Sequence, residues 1–96
     1  MKIDRLIWDR RNTAHIARHN VSQNEVYETC APGRHLARRI GQEKHGLLRY
    51  HVYGQTLSGR YLFIVLDRKY GATFYVVTAR DMNTAEKKMF RRKGKK

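Results

Sequence analysis

The 96-residue sequence contains one cysteine, one proline, one tryptophan and only eight acidic residues. Each scarcity excludes something. With Cys30 alone, no intrachain disulfide can form, and there is no Cys-x-x-Cys pair for redox chemistry or zinc. Cys30 ends a short helical pattern just before Ala31-Pro32-Gly33, a place that suits a buried small apolar residue better than a nucleophile. No stretch approaches the roughly 18 apolar residues of a membrane span. The segment from Met1 to Trp8 lacks the long apolar run of a secretory leader. The expectation is a soluble, cytoplasmic protein that does not engage a membrane.

The shortage of acids leaves a large cationic excess. Twenty-one Lys and Arg stand against eight Asp and Glu, for a net charge of +13 and a pI near 10.5. Such an excess repels itself in the compact state and calls for an acidic partner. Nucleic acid is the first candidate. An anionic membrane fits less well, because no long basic helix with a wide apolar face is present. A strongly acidic protein remains open as a third partner.

Ninety-six residues, 41% of them hydrophobic, allow one small domain of about two layers. The domain is expected over residues 1–92, followed by a basic disordered tail over 93–96. Ile3 to Trp8 reads as a short strand. Asp9 or Asn12 caps a helix running to about His19, and Asn20 fits a left-handed helix terminus. Ser22 with Glu25 makes a capping box for a second helix over Gln23 to Cys30. His35 to Ile40 is a strand, and Gly41 to Gly46 a polar turn. Better strands follow at Leu47 to Gln55, Arg60 to Asp67 and Ala72 to Arg80. Short glycine-containing connections make them antiparallel hairpins. Asn83 with Glu86 caps a final helix beginning at Thr84. The order β-α-α-β-β-β-β-α describes an α+β fold.

Side chains alternate between the faces of a strand. By that rule Arg49, His51, Tyr53 and Gln55 share one half-polar face of their strand. The Arg60–Asp67 strand is apolar on both faces and should be central. In the last strand Phe74, Val76, Thr78 and Arg80 fall on one face, with Tyr75 and Val77 on the other. Fixed guanidinium groups on a small sheet suit phosphate. Arg80 lies just before a helix start, where free amides would add to its charge. The same arginines also suit edge protection, and Arg80 has Asp9, Asp81 and Glu86 as candidate ion-pair partners. His51 beside Arg49 suits proton transfer near a phosphate. His15 and His19 have a metal-compatible spacing but lack the carboxylate of a His-Glu-x-x-His motif, so neither a metal nor a cofactor is expected. Most tyrosines should pack in the core, with Tyr50, Tyr53 and Tyr70 as candidates for stacking on bases.

Several fragments together resemble one family. Trp8-Asp9 follows a short strand, and Arg18-His19-Asn20-Val21-Ser22 precedes a helix that holds Glu25. Arg49-Tyr50, Gly54, Gly59-Arg60, Leu62 and Val77-Thr78-Ala79-Arg80 come next, then Glu86 and Phe90. In order and spacing, over residues 6–90, this is similar to the signature of BrnT-like toxins. The resemblance implies a RelE-like fold, a compact antiparallel sheet with two N-terminal helices and one C-terminal helix. It also implies the toxin of a type II toxin–antitoxin pair, a metal-independent ribonuclease that inhibits translation. The implied partner is a small antitoxin with a DNA-binding domain, and the complex would bind operator DNA.

The resemblance aligns Arg60 and Arg80 with phosphate-holding arginines, with Arg49 sharing that work and His51 or His19 moving protons. Tyr53, Lys69, Lys87, Arg91 and Arg92 are the expected RNA contacts. Cleavage would proceed by attack of the ribose 2′-OH and leave 2′,3′-cyclic phosphate ends. The alternatives are a non-catalytic RNA- or DNA-binding module, whose affinity charge alone explains, and a protein-interaction module.

Overall fold

A computed structural model describes residues 1–42 and 46–94. The elements run β1 (Arg5–Ile7), α1 (Arg10–Ala17), α2 (Gln23–Cys30), β2 (His35–Gln42), β3 (Leu48–Gln55), β4 (Tyr61–Tyr70), β5 (Thr73–Asp81) and α3 (Thr84–Gly94). The α+β class and the element order match the sequence reading. Three of the turn residues and the last two of the expected tail lie outside the described residues. The helix α3 continues past the expected boundary at Arg92 to Gly94.

Local sequence explains the helix starts. The Asp9 carboxylate accepts from the Asn12 amide at 2.9 Å, and the Asn12 side chain accepts from the Asp9 amide at 2.8 Å. The same reciprocal box joins Ser22 with Glu25 at the head of α2 and Asn83 with Glu86 at the head of α3. Asn20 adopts φ 58°, and the Val21 amide returns to the Ile16 carbonyl, which closes the end of α1.

The strands form one sheet in the order β1-β5-β4-β3-β2. From β2 to β5 it is the expected antiparallel meander, with β4 at the centre. The sheet departs from the expectation at one edge, where β1 pairs with β5 in parallel. The chain leaves β1, passes through both N-terminal helices, builds the meander from the far edge and returns beside its own start.

The layering also differs from the expected two. On one face, Ile16 of α1 and Val26 and Cys30 of α2 pack against Val52, Leu62, Ile64, Leu66, Phe74 and Val76. On the other, Met89 and Phe90 of α3 pack with Leu36, Tyr53, Tyr61 and Phe63. Alternating β4 side chains therefore enter two cores, which is why that strand is apolar on both faces. Helix α3 covers only one part of its face. Gly54 lets α2 approach β3: an added Cβ would lie 2.8 Å from Thr29 Cγ2 and 2.9 Å from the Arg34 carbonyl oxygen.

A bulge resets β5. Val65 pairs with Thr78 but Leu66 pairs with Val76, so Val77 is an extra residue. Simple alternation put Arg80 on the face of Phe74 and Val76. The bulge instead turns Arg80 to the α3 side, opposite Phe63, and Ala79 takes the inner position beside the α1 and α2 core.

Candidate nucleic-acid interface

Among the described residues, the part of the α3-side face that α3 leaves uncovered carries three cross-sheet rows. Arg49 of β3, Asp67 of β4 and Tyr75 of β5 form the first. Arg38 of β2, His51, Val65 and Thr78 form the second. Leu36, Tyr53, Phe63 and Arg80 form the third, at the margin of α3. Strand register alone thus gathers Arg49, His51 and Arg80 and adds Arg38 to them.

Each arginine of this face that has a carboxylate partner is held firmly. Arg49 Nε and Nη2 donate to the two Asp67 oxygens at 2.7 and 2.8 Å. Arg80 donates to the two Glu86 oxygens at 2.9 and 3.0 Å, and its plane lies 4.2 Å over the Phe63 ring. These forks fix direction as well as charge. Glu86 is held below the usual carboxylate range, chiefly by the Arg80 hydrogen bonds.

His51 sits among them, half-buried, with its ring 4.8 Å from Phe63 in an edge arrangement. Its pKa is lowered, first by desolvation and then by the charges of Arg49, Arg38 and Arg80, against an opposing pull from Glu86. The lowered pKa favours the neutral imidazole, the form that accepts a proton.

Beyond these rows, β1 is too short to cover the full length of β5, and α1 covers part of the remaining edge. Asn12 Nδ2 donates to the carbonyls of Ile7 and Val76 at 2.9 and 3.0 Å. This contact brings Arg11 and His15 to the rim of a cavity of about 250 Å³ that Arg49, Asp67, Tyr75 and Val77 also line.

Two residues expected in the site lie elsewhere. Arg60 belongs to the α1 and α2 side of the sheet. It donates to Asp81 at 2.7 Å, to both Glu25 oxygens at 3.1 Å, and to the carbonyls of His19 and Asn20. Its guanidinium thereby caps the end of α1 and ties it to α2 and β5. His19 is exposed, with its carbonyl on Arg60 and its ring 5.6 Å from that of His15 rather than in the rows that hold His51.

The expected RNA contacts are spread along both ends of the open face. Lys69 Nζ stands 5.5 Å from the Tyr75 ring centroid. Lys87 and Arg91, one helical turn apart on α3, flank Tyr61 at 5.9 and 5.0 Å. Arg92 is exposed on the same helix. Tyr53 is only 6% exposed and packs on Phe63, which leaves no ring face for a base. Tyr50 packs edge-on against Phe74, whereas Tyr70 is 68% exposed.

Sequence reasoning missed Arg38 and Asp67 as members of this face. Arg38 shares its parity with Leu36, and this was the available signal. Asp67 needed the β3–β4 register. Cys30 is buried and burial pushes its thiol up to about 12, in keeping with a core residue. Among the described residues no His, Cys, Asp and Glu group is arranged to hold a metal ion, and no helix is long and apolar enough to cross a membrane.

No protein-family model matches the chain, and no curated protein matches it significantly.

Proposed function

We propose that the open sheet face binds single-stranded RNA and cleaves it by attack of the ribose 2′-OH, and that the protein is the toxin of a type II toxin–antitoxin pair. The observation that carries the cleavage reading is the strand register that sets His51 directly across from Arg38, with Arg49 and Arg80 in the adjoining rows. His51 takes the 2′-OH proton, the arginines stabilise the charge gathering on the phosphorane, and the leaving 5′ oxygen takes a proton from water at the open face. General-base help contributes about 10²–10⁴-fold and oriented charge about 10²–10³-fold per donor. Lys69 at one end, and Lys87, Arg91 and Arg92 at the other, extend the cationic track along the strand. The toxin assignment is supported by the ordered resemblance of residues 6–90 to BrnT-like toxins and by the cationic excess. The partner is then an acidic antitoxin with a DNA-binding domain, and the complex carries the protein to operator DNA.

The test is product chemistry. Purified protein incubated with RNA in the presence of chelator should leave 2′,3′-cyclic phosphate ends, and His51→Gln should lose most of that activity. Salt-sensitive RNA binding with no cleavage by the wild-type protein would replace this reading with a non-catalytic binding module.

A further inference from the structure

We infer that the cavity under α1 is a second anion subsite, built to hold the phosphodiester next to the one at His51. The inference rests on the RNA reading above for the identity of its strand, and on different residues for its chemistry.

The cavity holds about 250 Å³ and shares Arg49 with the His51 group. Its remaining polar rim comes from α1. Arg11 and His15 are four residues apart and so project from one face of the helix. Arg11 makes no ion pair or side-chain hydrogen bond with another described residue. His15 meets His19 edge to face with centroids 5.6 Å apart, and its ring nitrogens form no hydrogen bond among the described residues.

The carboxylate that lines the cavity, Asp67, and the one that neighbours Arg11, Asp9, both have hydrogen-bond partners. Both Asp67 oxygens take hydrogen bonds from Arg49. Asp9, the carboxylate that feels the charge of Arg11, takes the Asn12 amide and the Tyr75 hydroxyl. The strongest group left on the rim is the Arg11 guanidinium, which can only donate. A phosphate offers acceptors only and carries the opposite charge, so it suits that group better than a neutral nucleobase edge does.

Position selects the neighbouring phosphate of the same strand. Arg49 and His51 are two residues apart on one strand face, a step of about 6.7 Å. That is the scale of one nucleotide in an extended strand. A strand whose scissile phosphate lies among His51, Arg49 and Arg80 therefore brings its next phosphate toward Arg11 and His15.

The experiment uses a short 2′-O-methyl RNA, which lacks the attacking hydroxyl and stays uncut. Single linkages are replaced in turn by neutral methylphosphonates, and binding is measured by fluorescence anisotropy for wild type, Arg11→Gln and His15→Gln. Both substitutions lie outside the His51 group, and circular dichroism checks the fold. The expected result is one linkage whose neutralisation weakens wild-type binding by roughly five- to tenfold but has little further effect on Arg11→Gln. The salt slope of Arg11→Gln should also be shallower, by about 0.7.

If unmodified RNA is cut, that linkage should adjoin the cut site. Coupling at one linkage without any cleavage would overturn the ribonuclease reading and keep the subsite. Additive effects at every linkage, no effect of Arg11→Gln, or no RNA binding would overturn the subsite. Binding of inorganic phosphate that shifts the His15 proton resonances, with no such coupling on RNA, would overturn it in favour of a free-anion site.

Discussion

Arg80 grips Glu86 through both terminal nitrogens, at 2.9 and 3.0 Å, while Phe63 supports its plane from 4.2 Å away. The pair links β5 to the first turn of α3 and points one guanidinium at the open face. Arg80→Lys keeps the charge but loses the fork and the stacking plane. Stability by urea denaturation should fall by only about 1 kcal/mol, since the pair is part-exposed. RNA cleavage should fall by roughly 10²–10³-fold. An unchanged cleavage rate in folded Arg80→Lys would remove this arginine from the phosphate site.

Arg60 should behave in the opposite way. Its bonds to Glu25, Asp81 and two α1-terminal carbonyls hold helix to sheet on the far side. Arg60→Ala leaves two carboxylates without their cation and the end of α1 without its cap. The expected loss is about 1–3 kcal/mol in urea denaturation. RNA affinity of the folded fraction should change little. Loss of cleavage with full stability would return Arg60 to a direct role.

Much of the fold was legible in local chemistry. The Ser22–Glu25 and Asn83–Glu86 boxes placed two helices, and glycine turns placed the meander. Capping boxes and short turns act within a few residues, so the sequence displays them directly. The parallel pairing of β1 with β5 joins segments nearly seventy residues apart, and nothing local announces it. The Val77 bulge has the same character, because an extra residue is defined only against the partner strand. It explains why alternation found the faces of Arg49 and His51 in regular β3 but misplaced Arg80 beyond the bulge. Arg60 shows a different limit. Its residue type suits a phosphate and a helix cap equally, and only the positions of Glu25, Asp81 and α1 select the cap.

Gly54 tests the packing of α2 on β3. Its backbone angles are open to any residue, so the constraint is space: the missing Cβ would sit 2.8 Å from Thr29 Cγ2 and 2.9 Å from the Arg34 carbonyl oxygen. A side chain can yield, but the carbonyl belongs to the backbone leading into β2. Gly54→Ala should therefore cost about 1–3 kcal/mol in urea denaturation. Trimming the methyl with Thr29→Ser should recover only part of that loss. Full recovery would show that the backbone contact is not limiting.

The lowered pKa of His51 links stability and activity through one proton. Its pKa lies below the usual 6.5 because burial and three arginines disfavour the cation. In the unfolded chain the histidine binds its proton near 6.5, so between the two values the unfolded state holds more protons. Stability is then fully present above pH 6.5 and falls as pH drops through the folded value, with a slope of at most about 1.4 kcal/mol per pH unit. The lowered carboxylates Glu25, Asp81 and Glu86 add a separate loss at more acidic pH, as each approaches its ordinary value of 4.5 or 3.8. His51→Gln should remove the upper window and leave the lower one. For catalysis, kcat/KM should rise from acid pH to a plateau by pH 7, with its midpoint below 6.5, because the neutral imidazole is the working form. A midpoint above 6.5, or an acid limb that persists in His51→Gln, would assign the proton transfer to another group.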